Sequence, residues 1–149
     1  MVRESSVDIA APCEAVFDVV HDYNVRLEWD TLLSHASIVD GSHEAAVGVR
    51  TLCIGRGHNV AGFGMETVYI SFDRPSAAAV RMTRGPWFIA QFAASIRHIA
   101  VGSGSRVIYK FNITGRPKLL GPIVCVIFQR ETRKRLEALK RYVEIHSAS

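Results

Sequence analysis

The side chains best able to do chemistry in this chain are scattered. Six histidines stand at His21, His35, His43, His58, His98 and His146, and none forms a His-Glu-x-x-His pair or another tight metal-binding spacing. The three cysteines, Cys13, Cys53 and Cys125, are odd in number, widely spaced and without a Cys-x-x-Cys pair. They read as small buried apolar residues of a reducing compartment. No Gly-x-Ser-x-Gly nucleophile elbow occurs. Gly55-Arg56-Gly57 begins like a dinucleotide loop, but Val60 takes the place of the third glycine and no helix follows. That segment is expected to be a hairpin loop. Asp18 and Asp22 share one helix face at the ordinary spacing of a solvated surface. Glu66 opens a strand as a lone carboxylate, expected to be exposed or salt-bridged. In Val80-Arg81-Met82, alternation turns Val80 and Met82 inward and Arg81 outward. No catalytic residue is assigned, no metal or cofactor is expected, and enzymatic activity stays open.

These groups sit on elements that hydrophobic periodicity outlines. Residues 2–9 alternate and suit an edge strand. After Pro12, the residues Cys13, Val16, Phe17 and Val20 mark one face of a short helix over about 12–22. A second short helix is expected over 24–29, presenting Leu27 and Trp29. From 34 to 114 the period is two, with strands expected at 34–39, 47–54, 66–72, 77–83, 87–101 and 106–114. Short turns such as Asp40-Gly41-Ser42 and Gly102-Ser103-Gly104 separate them, so the sheet should be a continuous antiparallel meander.

Everything after Gly115-Arg116-Pro117 reads as one long helix. Its first half, Leu119 to Phe128, is apolar nearly all round, and its second half keeps a narrow stripe of Leu136, Leu139 and Val143. A helix apolar on all sides must be covered on more than one side, by a curled sheet, a partner or a ligand. Gly121-Pro122 either bends this helix or marks its start.

The chain has 149 residues, 48% hydrophobic and 21% charged, which suits one globular domain over 1–149. Its formal charge is +4. Residues 1–117 balance, and the excess falls from Lys118 onward, where a solvated helix face is expected and no aromatics interleave to stack bases. A nucleic-acid partner is therefore disfavoured. No apolar run is long enough to span a bilayer and the start lacks a signal-peptide pattern, so a cytoplasmic location is expected. Homodimerisation is compatible with the sequence.

The opening Val7-Asp8-Ile9-Ala10-Ala11-Pro12-Cys13-Glu14-Ala15-Val16-Phe17, with Asp22-Tyr23 and Trp29-Asp30 after it, resembles the START-like, Bet v 1-like superfamily. That superfamily includes the polyketide cyclase/dehydrase and lipid-transport families. Phe72-Asp73-Arg74-Pro75 is similar to an acidic-Pro turn between its middle strands, and Arg133 to Glu144 looks like its closing helix. These motifs span nearly the whole chain and are structural. The resemblance implies an α+β helix-grip fold: about seven curved antiparallel strands around a long C-terminal helix, with two short helices after strand one. It also implies a cavity between sheet and helix for a hydrophobic small molecule such as a lipid, polyketide or quinone. Cyclisation or dehydration of a chain held there is the alternative activity, and an interaction module using the basic helix is a third. Candidate ligand contacts are Tyr69, Met82, Trp87, Phe92, Tyr109, Phe111, Ile123 and Ile127, which combine apolar bodies with a few polar handles. Tyr109 is the leading polar candidate, since Val107 and Phe111 fix it to the apolar face. Trp87 fits the cavity rim equally well, and His98 reads as structural.

Overall fold

A computed structural model describes residues 1–56 and 62–147. The strands are β1 (Val2–Ile9), β2 (Leu33–Ile38), β3 (Arg50–Gly55), β4 (Gly64–Asp73), β5 (Ala77–Arg84), β6 (Ile89–Val101) and β7 (Gly104–Gly115). The helices are α1 (Cys13–Val20), α2 (Arg26–Trp29) and α3 (Gly121–Ser147). The strands form one antiparallel sheet in the order β1-β7-β6-β5-β4-β3-β2. From β2 to β7 this is a meander. β1 then pairs with β7, with Val7 opposite Val107, so the first strand is an edge strand, as its alternation predicts.

Register shifts within β2–β3, β4–β5 and β6–β7 add residues on one side of the pairing and bend the strands. The bent sheet curls around α3, which packs against β1 and β7. Two apolar clusters result. One gathers Val16, Phe17 and Val20 of α1 with Tyr69, Ile96, Val107, Leu136, Leu139 and Val143. The other gathers Ile89, Phe92, Ala94, Phe111, Ile113 and Cys125 under the start of α3. At that start the chain comes very close to β7: a side-chain carbon on Gly115 would lie 2.5 Å from the backbone nitrogen of Gly121. Only a residue without a Cβ permits this approach.

Several expectations are corrected. β3 begins at Arg50, because Gly48 takes a left-handed turn (φ +87°) and leaves Val47 exposed. The segment still pairs with β4 through Tyr69 N–H to the Val49 carbonyl. β6 begins at Ile89, which leaves Trp87 in the preceding turn. α2 buries Arg26 and Trp29 and leaves Leu27 half-exposed. Gly121-Pro122 marks the start of α3, after a single 3-10 turn over Lys118–Leu120. The apolar first half of α3 is covered on one side only. Ile123 and Val126 are open to solvent, as is Leu119 (85% exposed) in the turn before the helix, because the sheet reaches only the face carrying Val124, Cys125 and Phe128. The loop expected around Gly57 and Val60 lies outside the described residues. Its flanks pair, Gly55 N–H to the Phe63 carbonyl at 2.9 Å and Gly62 N–H to the Gly55 carbonyl at 3.1 Å. No helix among the described residues is long and apolar enough to cross a membrane.

Candidate functional site

Where the two clusters meet, side chains leave a pocket of about 210 Å³ between the sheet and α3. Its walls follow from strand alternation. β4 turns Met65, Thr67 and Tyr69 inward, β5 supplies Ala78 and Val80, β6 supplies Ile89, Phe92, Ala94 and Ile96, and β7 supplies Tyr109. α3 lays Val124, Ile127, Phe128, Thr132 and Arg135 across them at helical spacing.

The two ends differ in chemistry. One end is aromatic: Phe63, which is 42% exposed, meets Phe88 edge to face at 4.8 Å, and Phe128 meets Phe92 at 5.2 Å. The other end lies under α1 and α2 and is polar. There the Tyr69 hydroxyl sits 2.8 Å from His21 Nδ1 and 3.2 Å from the Tyr23 hydroxyl. The Tyr23 hydroxyl donates to Thr51 at 3.5 Å, and Thr51 pairs with Thr67 at 3.0 Å. Burial holds the His21 pKa down at about 3, so the ring is neutral at pH 7. Burial, helped by Tyr23, pushes the Tyr69 hydroxyl well above its usual pKa.

Behind this end lies a buried ionic group. Asp30 Oδ1 accepts from Arg135 Nε at 3.0 Å and from the Leu32 N–H at 3.1 Å. Its Oδ2 accepts from Arg135 Nη2 at 2.9 Å and from Arg26 Nε at 2.8 Å. Arg26 also donates from Nη1 to the Val20 carbonyl at 3.3 Å. Burial alone would lower the pKa of each guanidinium and raise that of the carboxyl; the mutual attraction outweighs it, so all three stay charged. The Arg26 guanidinium also lies over the rings of Trp29 (5.1 Å) and Tyr23 (5.3 Å), and that of Arg135 over Tyr109 (5.6 Å).

Of the sequence candidates, Tyr69, Phe92, Tyr109 and Ile127 line this pocket together. The other four stand elsewhere. Phe111 is 1% exposed and packs one layer back, behind Phe92 and Phe128. Met82 packs against the cluster under the start of α3, its sulfur beside Gly85. Ile123 lies on the open side of α3, 58% exposed. Trp87 is 70% exposed and touches Phe88 edge-on, a rim position set by the Pro86 turn. His98 is buried against Phe17 and outside the lining.

Sequence reasoning missed His21, Arg26, Asp30, Thr132 and Arg135. Arg26 and Asp30 stand four apart in a short helical stretch, the one signal available for them. Arg135 reads in the sequence as part of a solvated charge run, and only the fold turns it inward.

A curled sheet gripping a long C-terminal helix, with an apolar pocket between them, defines the START-like, Bet v 1-like class of protein. The chain belongs to the polyketide cyclase/dehydrase and lipid transport family, whose sequence profile matches residues 3–144. No curated protein shows significant sequence similarity to it. Among solved structures it is similar to the protein TTHA0849 from Thermus thermophilus, with TM-score 0.83, 14% identity and full coverage of both chains. It is similar to the Zhui aromatase/cyclase from Streptomyces sp. R1128, with TM-score 0.82, 14% identity, and 97% and 93% of the two chains covered. It also resembles a START superfamily protein from Mycobacterium smegmatis, with TM-score 0.79, 12% identity, and 96% and 97% covered. At these identities the likeness establishes the fold.

Proposed function

We propose that the chain binds a hydrophobic small molecule in the pocket between the sheet and α3. The observation that carries this is space at the junction of two packed clusters, lined mainly by apolar side chains with a few convergent polar groups. Well-packed interiors rarely leave voids larger than a water molecule. At about 210 Å³ the pocket is smaller than the roughly 300–1,000 Å³ of sites for drug-sized ligands, which favours a compact ligand or one that protrudes past Phe63.

The test is uptake of the neutral fluorophore N-phenyl-1-naphthylamine, with native mass spectrometry of freshly purified protein. Saturable fluorescence that is quenched by apolar competitors, or a retained small-molecule adduct, is expected. A protein that takes up neither the fluorophore nor any member of a broad apolar panel ends this reading.

A second reading is cyclisation or dehydration of a polyketide-like chain. The Arg135 guanidinium beside the partly buried Tyr109 ring favours it, because a cation there would stabilise negative charge developing on a bound carbonyl. The solved aromatase/cyclase with the same fold lends support. Under this reading Tyr109→Phe lowers turnover far more than binding; equal loss of both returns the protein to the carrier reading.

A further inference from the structure

The charges at the polar end do not cancel. One carboxylate, Asp30, serves two guanidiniums, and the three residues are 1%, 8% and 7% exposed for Asp30, Arg26 and Arg135. Both Asp30 oxygens are fully engaged and the residue is not part of the pocket wall, so it faces the arginines from behind. Arg26 and Arg135 do line the pocket, and no Asp, Glu or Lys lies among the described lining residues. A net single positive charge is thus buried at one end of an apolar pocket. Such a charge is expensive to hold without a counter-charge.

The donors are also incompletely used. Arg26 Nη2 makes no hydrogen bond among the described residues, while its sister nitrogens are held by Asp30 and Val20; Arg135, held by Asp30, also donates towards the Tyr109 hydroxyl. Trp29, Thr132 and His21 line the same pocket, and their Nε1, Oγ1 and Nε2 atoms are buried with no partner among the described residues. Trp29 is 6% exposed and Thr132 is 1% exposed. Buried polar atoms are rarely left unsatisfied, and three of them on residues of one pocket wall point to a missing acceptor. Two planar guanidinium edges, an indole N–H and a hydroxyl suit a carboxylate.

We propose that this end of the pocket is an anion subsite, and that the ligand is an amphipathic organic acid. Its carboxylate is held by Arg26, Arg135, Trp29 and Thr132, and its apolar body runs along Phe92 and Ile127 towards Phe63. The proposal deepens the ligand-binding reading and rests on it.

The test compares decanoate with decan-1-ol, which share a tail and differ in charge, by titration calorimetry at pH 7.5 with N-phenyl-1-naphthylamine as a charge-independent control. Decanoate is expected to bind at least about tenfold more tightly. Arg26→Leu leaves Asp30 and Arg135 as a neutral pair, and it should abolish that preference while decan-1-ol and the fluorophore still bind. If Arg26→Leu does not fold, Trp29→Phe removes the free N–H together with part of the ring, and it should weaken decanoate about threefold more than it weakens decan-1-ol, which reports the lost ring contact alone. Equal affinity of the wild type for acid and alcohol overturns the anion subsite and leaves the binding function standing. So does a preference that survives Arg26→Leu or, where that variant does not fold, one that Trp29→Phe leaves undiminished. Failure of all three probes to bind overturns the binding function, and the subsite with it.

Discussion

Arg135 on α3 and Asp30 just after α2 lie 105 positions apart and meet as a two-point ion pair, 3.0 and 2.9 Å long, sealed from water. Arg26 completes the group from the same short helix that ends at Asp30. Removing its one negative member leaves two uncompensated buried cations. Asp30→Asn should therefore cost about 3–5 kcal/mol of stability, read by urea denaturation. The double variant Asp30→Asn with Arg135→Met should lose less than the sum of the two single changes. A loss below about 1 kcal/mol for Asp30→Asn would mean that the pair contributes no more than one at the surface.

Stability should fall on mild acidification because two histidines are buried neutral. Burial holds His21 at about 3 and His98 at about 4, against 6.5 for a free histidine. The unfolded chain thus binds protons between pH 6.5 and these lower values, and the folded chain does not. Their contribution is complete above pH 6.5 and is lost as pH drops towards 4. By pH 5 each should remove about 2 kcal/mol relative to neutral pH. Thermal melts from pH 7.5 to 5 check this, and His98→Leu should flatten the slope by about half. A melting temperature constant over that range contradicts it.

Two aromatic residues that the sequence presents as equals should respond differently. Phe92 is 6% exposed between Phe111 and Phe128, and Phe92→Ala should cost about 3–5 kcal/mol. Trp87 is 70% exposed, and Trp87→Ala should stay within about 0.5 kcal/mol. Chemical denaturation of the two variants side by side decides it, and similar losses would contradict the placement of Trp87 at the rim.

Gly115→Ala tests the contact that seats α3. The new methyl would press on the backbone of Gly121, where no side chain can rotate away. A loss of about 1–3 kcal/mol is expected in the same assay. A neutral or stabilising outcome would mean that α3 can lift off β7 without penalty.

The strand and helix pattern was legible because one face of each element is buried. Val107, Phe111 and Ile113 alternate, and Leu136, Leu139 and Val143 recur at helical spacing, so periods of two and 3.6 report the fold directly. The same signal located Tyr69, Phe92, Tyr109 and Ile127. It failed for Ile123 because an apolar residue can remain at the surface at modest cost. It placed Phe111 on the correct face without saying that Phe92 and Phe128 stand in front of it. The ionic group was hidden for a different reason. Charged residues are read as solvated, and nothing local distinguishes Arg135 from its neighbours Arg133 and Lys134, which are exposed. Only the path of α3 over the sheet brings Arg135 to a carboxylate a hundred positions earlier.

α3 is fastened to β7 at its start, where Gly115 meets Gly121, and to the α2 end further along, where Arg135 meets Asp30. Fourteen residues at 1.5 Å each separate them, a span of about 21 Å. Between the fastenings it behaves as a beam clamped at both ends, with Val124, Ile127, Phe128 and Thr132 on its underside. Hinging of the helix as a rigid lever is then the costly motion, and rotamer changes beneath the beam are the cheap one. Any guest that fits is accommodated by turning side chains, with the backbone frame left standing.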